Sequence, residues 1–187
     1  MIGKKNIVFG FLYLVFTASL GPFMVTQFDA VQLAQQEKQA ALGRLEQLLA
    51  NNFEEDLEAM SAEQIAKANT NALLALNKQL NARAPIDAIK GGPHTHGNLE
   101  SLLNIVVGVV LGLLAIPVLF KQIISWMFIA GALLHSGMLY LAIVFQQGWA
   151  GTLLNTGIGP ALILLGLLLA GIASIIGLKK LPPEPAH

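Results

Sequence analysis

Along the chain, apolar residues gather into long uncharged runs on either side of one charged stretch, and these runs set the predicted elements. No Asp, Glu, Lys or Arg lies between Lys5 and Asp29, between Glu100 and Lys121, or between Lys121 and Lys179. A helix needs about 20 apolar residues to cross the hydrocarbon core of a bilayer. The first two gaps therefore hold one span each and the third holds two, which predicts spans over Ile7 to Phe28, Ser101 to Phe120, Trp126 to Phe145 and Thr152 to Leu178. The third run carries His135, Ser136 and Tyr140 among apolar neighbours, and the other spans are expected to pack around it. Composition agrees, since 55% of residues are apolar and only 12% charged, against about 25% charged in a soluble domain. The predicted fold is all-α, a four-transmembrane-helix bundle with an extracytoplasmic helical hairpin between spans 1 and 2.

Four segments follow: 1–28 as span 1, 29–97 as the hairpin and its loop, 98–180 as spans 2 to 4, and 181–187 as a Pro-rich cytoplasmic tail. The basic start and Thr17-Ala18-Ser19 have features of a signal peptide. An uncharged run of roughly 22 residues is longer than a signal core, so an uncleaved anchor kinked at Pro22 is expected. In the hairpin, Val31, Ala34, Ala41, Leu45, Leu48 and Leu49 recur at helical steps and predict one amphipathic helix. Ser61 and Gln64 form a capping box for a second, with Ile65, Ala68, Ala72, Leu73, Leu76 and Leu80 as its buried stripe. Such a pair reads as a solvated spacer or docking surface, with a coiled-coil partner as the sharper alternative. Gly91-Gly92-Pro93 is expected to end the second helix and leave a loop from Ile86 to Asn98. Gly108 and Gly112 make a GxxxG pair, and Gly159, Gly166, Ala170, Ala173 and Gly177 mark a seam that should face a neighbouring helix.

Charge then orients the chain. Lys4, Lys5, Lys121, Lys179 and Lys180 fall on one side with only Glu184 opposing them, while the stretch from Asp29 through Glu100 carries more acidic than basic residues. The positive-inside rule places both termini in the cytoplasm and residues 29–97 outside, in the periplasm of a bacterial inner membrane. With no cysteine, disulfides and thiolate chemistry are excluded, and a net charge of zero gives no sign of nucleic-acid binding.

Ile124-Ser125-Trp126, the run GALLHSGMLYLAI, Gly148-Trp149-Ala150, Gly157, the GLLLAG run and Lys179-Lys180 resemble a group of small four-helix bacterial inner-membrane proteins of unassigned function. The group carries a Phe-Ser-Gly-Ser-Leu-Tyr-type signature on its third helix, matched here by Ser136, Gly137, Leu139 and Tyr140, with His135 in place of the aromatic and Met138 in place of a serine. The resemblance covers residues 94–180 and implies a four-helix membrane fold without an activity. The hairpin is longer than the group's first connection.

Two sets of residues carry candidate chemistry. His94, His96 and Glu100 are the candidate metal set, with Asp29 in reserve, because imidazole and carboxylate together hold Zn or Cu. Capping of a helix that starts after Gly-Gly-Pro explains the same residues and is preferred. His135 and Tyr140 are the candidate cofactor contacts, for haem, quinone or a proton relay, since an ionisable residue in mid-membrane is a functional-site hypothesis by default. Asn104 or Asn155 is expected to approach His135 from other spans. Counting down from Gln146, His135 should lie about 16 Å below the surface at which His96 sits, which argues against one cofactor between them. Neutral interhelical bonding of His135 explains the same residue and is preferred. Carboxylates are expected to be absent from the membrane interior, and no nucleophile, base and orienting partner fall together. The expected function is a non-enzymatic accessory or structural subunit, docking other membrane subunits or its own copies through its seams and outer hairpin. A metal- or redox-cofactor-binding membrane protein is the alternative, and a small-solute channel or carrier a third.

Overall fold

The computed structural model describes residues 2–55 and 58–178; Lys179, Lys180, the predicted tail and His187 lie outside the described residues. Among the described residues the chain is all-α apart from a two-residue β-ladder and an isolated bridge between Leu114 and Leu178, and four helices are long and apolar enough to cross a membrane. Its helices are α1 (Gly3–Ala18), α2 (Leu20–Val25), α3 (Phe28–Ala50), α4 (Ala62–Ile89), α5 (Thr95–Leu113), α6 (Val118–Ala132), α7 (Met138–Ile143), α8 (Gly148–Leu154) and α9 (Ile158–Gly177). Two compact units result, a bundle built from the residues up to Gly21 and from Ile89 onward, and a charged unit over Pro22–Ala88.

In the charged unit, α3 ends at Asn51, and Asn52 and Phe53 turn the chain with positive φ. The ladder Glu54–Glu55 against Glu58–Ala59 completes the turn. The Ser61 and Gln64 box forms as read from the sequence: the Ser61 N–H donates to Gln64 Oε1 at 2.8 Å and the Gln64 N–H to Ser61 Oγ at 3.2 Å. Lys78 pairs with Glu37 at 2.6 Å and so ties α4 to α3. The buried stripe of α4 differs from expectation. Ala72 and Gln79 are buried with Ile65, Ala68 and Ala75 half-buried, whereas Leu73, Leu76 and Leu80 are exposed. Positions 65, 68, 72, 75 and 79 form one helical row and 73, 76 and 80 another, and the row of mostly small side chains is the one turned inward.

In the bundle, α1 lies against α5 and α9 against α6. Glycine permits both approaches: a Cβ at Gly10 would meet the Ser101 carbonyl at 2.6 Å, and one at Gly159 would meet the His135 backbone N at 2.7 Å. The predicted seam of α9 thus packs within the chain, Gly166 on Phe128 and Gly177 on Ile116, with Ala173 fully buried. Of the GxxxG pair, Gly108 meets Ile7 and the Gly3 carbonyl while Gly112 meets nothing. Leu111, Leu114, Ile124, Phe128 and Ala173 make the apolar core. Many of the largest exposed side chains, such as Leu12, Val15, Leu119 and Ile175, are apolar.

Three boundaries move. Span 2 ends at Leu113, and the extended residues Leu114 and Pro117 turn the chain into α6, so Lys121 lies in the first turn of α6 and donates to the Leu114 carbonyl at 2.6 Å. Three prolines sit at helix starts, each just after a break in a predicted span: Pro22 is third in α2, Pro117 caps α6 and Pro160 is third in α9, where a missing N–H costs no bond. Gly91, Gly92 and Pro93 do stop α4, but in a short kink rather than a loop reaching Asn98: the π-type turn Lys90–His94 breaks at Gly92, whose dihedrals are non-helical, and α5 starts at Thr95. A second π turn, Leu133–Gly137, interrupts the third span at His135 and Ser136.

Candidate functional site

The polar residues of three apolar helices share one interior face. On α1 these are Asn6, Tyr13 and Thr17; on α5, His96, Glu100 and Asn104 at four-residue steps; on α6 and its π turn, Ser125, His135 and Ser136. Helical steps of three, four and seven keep such residues in line. Asn6 and Thr17, eleven residues apart, are separated by about 16 Å along the axis.

Near one end, Asn6, Asn104 and Ser125 are wholly buried. The Asn6 amide donates to Asn104 Oδ1 at 2.9 Å and to the Ser125 carbonyl at 3.0 Å, and the Ser125 hydroxyl donates to Asn6 Oδ1. Asn104 donates to the carbonyls of Glu100, at 3.0 Å, and Phe128, at 3.2 Å. A turn beyond, Lys5 donates to Gln122 at 2.5 Å and lies 4.2 Å from the centre of the Trp126 ring. The basic residues Lys5 and Lys121 therefore share one end of the bundle.

The centre of the column is Glu100, 4% exposed. His135 Nδ1 lies 2.5 Å from Glu100 Oε1, and Ser136 Oγ donates to Glu100 Oε2 at 2.5 Å, with the Ser136 N–H at 3.4 Å from the same oxygen. A serine has one hydroxyl proton, so once it is given to Glu100 the 2.9 Å contact with Tyr13 is a bond donated by the tyrosine. His96 completes the group: its ring centre is 4.7 Å from that of His135, and donor atoms of His96, Glu100 and His135 all lie within 4.8 Å of one another. The π turn brings His135 and Ser136, adjacent in sequence, onto the same carboxylate, and α9 packs directly behind it at Gly159. No buried side-chain N or O atom among the described residues lacks a partner.

This arrangement revises several expectations. A carboxylate does lie in the interior of the bundle: α5 starts at Thr95, and Glu100 is buried on its inner face. Gly92 sits at the level of Leu139 and Ile143, where a Cβ would meet Ile143 Cδ1 at 2.8 Å, so His96 is one turn below the last turn of the third span. The depth argument that separated His96 from His135 fails for that reason. His94 stands apart, with Nδ1 donating to the Thr17 carbonyl at 3.2 Å, while the Thr17 hydroxyl donates to Asn98 at 2.8 Å. Tyr140 is buried but stacks on Phe16, with ring centres 4.3 Å apart; Tyr13 takes the place expected of it. Asn155 is exposed at the end of α8, and Asn104 belongs to the layer below His135. Tyr13 and Asn6 carry the site without having been singled out by motif, and Ser125 and Ser136, which were named only for the resemblance and as neighbours of His135, join them. Their signal was spacing, since Asn6, Tyr13 and Thr17 fall on one face of an apolar helix.

The chain matches no family model, no curated protein and no solved structure. The functional reading therefore stands on this geometry.

Proposed function

We propose that the chain is a multi-pass integral membrane protein that binds a small ligand or cofactor at the centre formed by Glu100, His135 and His96. The observation carrying this reading is the buried carboxylate held between imidazole and serine inside a bundle whose outward side chains are largely apolar. Taking an ionisable group into lipid costs several kcal/mol or more, and residues that tolerate the cost there usually serve a pathway or a ligand. Haem between the two histidines is disfavoured, because their rings pack against one another and leave no thickness for a porphyrin. Mild-detergent extraction, native mass measurement, absorption spectroscopy and a metal assay test the reading. Wild type should retain a small component that Glu100→Gln loses at equal helicity and equal particle size. A wild type without any such component, matched in stability by the variant, would refute it.

A second reading, the accessory subunit, is supported by the hairpin alone. Leu73, Leu76 and Leu80 form an exposed row on a helix too charged to face lipid, the pattern of an unfilled coiled-coil seam. The glycine seams support it no longer, because this chain's own helices fill them. In either reading the lysine-bearing end of the bundle faces the cytoplasm of a bacterial inner membrane and the hairpin the opposite side, by the positive-inside rule. Side-specific labelling of single cysteines placed in the hairpin checks this directly in a chain that has none.

A further inference from the structure

We propose that His96, Glu100 and His135 form a binding site for one divalent first-row transition ion of the Zn²⁺ class. The proposal rests on the ligand-binding reading above and names its ligand.

Three features point to a metal rather than an organic cofactor. The donor set is two imidazoles and one carboxylate, a combination suited to Zn²⁺ and its neighbours in the first row. Calcium and magnesium demand mostly oxygen ligands, and Glu100 is the one carboxylate here. The spacing is also near what an ion needs. Donors on a tetrahedral ion at about 2.0 Å from each are roughly 3.3 Å apart. The donor atoms lie within 4.8 Å of one another; an ion would replace the 2.5 Å contact of His135 Nδ1 with Glu100 Oε1, that pair opening to about 3.3 Å as the half-buried rings turn toward it. Finally, the residues around the site hold it as an outer shell would. Ser136, itself bonded to Tyr13, occupies Glu100 Oε2 and leaves Oε1 facing His135. Outer partners of this kind orient a ligating group and are worth about 10- to 100-fold in metal affinity.

Three protein ligands leave a fourth position for water or substrate, as in open zinc sites. The His135 side chain is 18% exposed, so the group is not sealed.

The test uses the full chain in mild detergent, stripped with chelator and titrated with Zn²⁺, Co²⁺, Mg²⁺ and Ca²⁺. One Zn²⁺ or Co²⁺ per chain should bind, with visible Co²⁺ bands of a four- or five-coordinate site and no competition from Mg²⁺ or Ca²⁺. His96→Ala, Glu100→Gln and His135→Ala should each lose affinity by roughly a hundredfold or more, Ser136→Ala by about tenfold, and His94→Ala not at all. X-ray absorption of the wild-type Zn²⁺ form should show two imidazoles, a readout that stands even where a variant fails to fold. The proposal is overturned if folded wild type binds neither ion, if affinity survives His135→Ala, if His94→Ala abolishes it, or if absorption shows no imidazole. Should the metal fail while native mass measurement still finds a small molecule lost in Glu100→Gln, this inference falls and the broader ligand-binding reading survives. Should neither be found, both fall.

Discussion

Uncoupling Glu100 from His135 is the most informative perturbation, because the two residues belong to different helices and meet through one short bond, 2.5 Å long. Both side chains are largely out of contact with solvent, at 5% and 18% exposure, so screening takes little from the interaction. A hydrogen bond to a charged group contributes about 1.5–3 kcal/mol, whereas interhelical polar bonds measured in a membrane protein average about 0.6 kcal/mol. A double-mutant cycle of Glu100→Gln and His135→Ala should therefore return a coupling near 2 kcal/mol, about a 30-fold effect on the unfolding equilibrium. Glu100→Gln is the better single change, because its amide oxygen still accepts from Ser136 while the pairing with His135 is weakened. Glu100→Ala strips partners from Ser136 and His135 together and should cost about 3–5 kcal/mol, the range for breaking a buried pair. The assay is reversible denaturation of reconstituted protein by a denaturing detergent, followed by helicity. A coupling at or below about 0.6 kcal/mol would mean that the contact is ordinary interhelical glue, and the reasoning from burial and charge would be wrong.

Other consequences are quickly stated. Gly10→Leu forces a side chain into the Ser101 backbone and should destabilise by at least about 1–3 kcal/mol, the usual cost of overpacking, seen as earlier thermal aggregation. Lys5→Ala removes both the Gln122 bond and the ammonium over Trp126; a loss of about 0.5–1 kcal/mol and a shift in tryptophan emission are expected. Ser61→Ala should cost about 1 kcal/mol and speed hydrogen exchange in the first turn of α4 only. Leu73→Gln with Leu80→Gln should leave stability within about 0.5 kcal/mol, since both are exposed, while releasing any protein that copurifies through the hairpin.

Much of the fold was legible because lipid-length apolar runs are a coarse signal that single residues do not disturb. The four runs, the capping box at Ser61 and the α9 seam all follow from spacing alone. What the sequence concealed was where the second span's helix begins. Gly91-Gly92-Pro93 stops a helix, at the Gly92 kink, but α5 starts at Thr95 rather than after Asn98. His96 is therefore helical and shares the inner face with Glu100, beside His135. Proline does interrupt the predicted spans, since Pro22, Pro117 and Pro160 each lie at the start of the helix that follows a break. In α4 two helical rows competed, and hydrophobicity favoured the leucines whereas close packing favoured the alanines. Tyr13 was invisible to any motif, because its role depends on which face of α1 meets α5. Glu100 and His96 were recognised as candidate ligands from their residue types, but with His94 as the third member; His135 takes that place through the tertiary arrangement.

The measurement closest to the central claim is a solid-state NMR distance in lipid bilayers between the labelled carboxyl carbon of Glu100 and the labelled Nδ1 of His135. Strong dipolar dephasing, of the size expected for directly hydrogen-bonded partners and abolished by His135→Ala, is the predicted result. Absence of dephasing in folded wild-type protein would show that the two groups do not meet, and the proposed site would not exist.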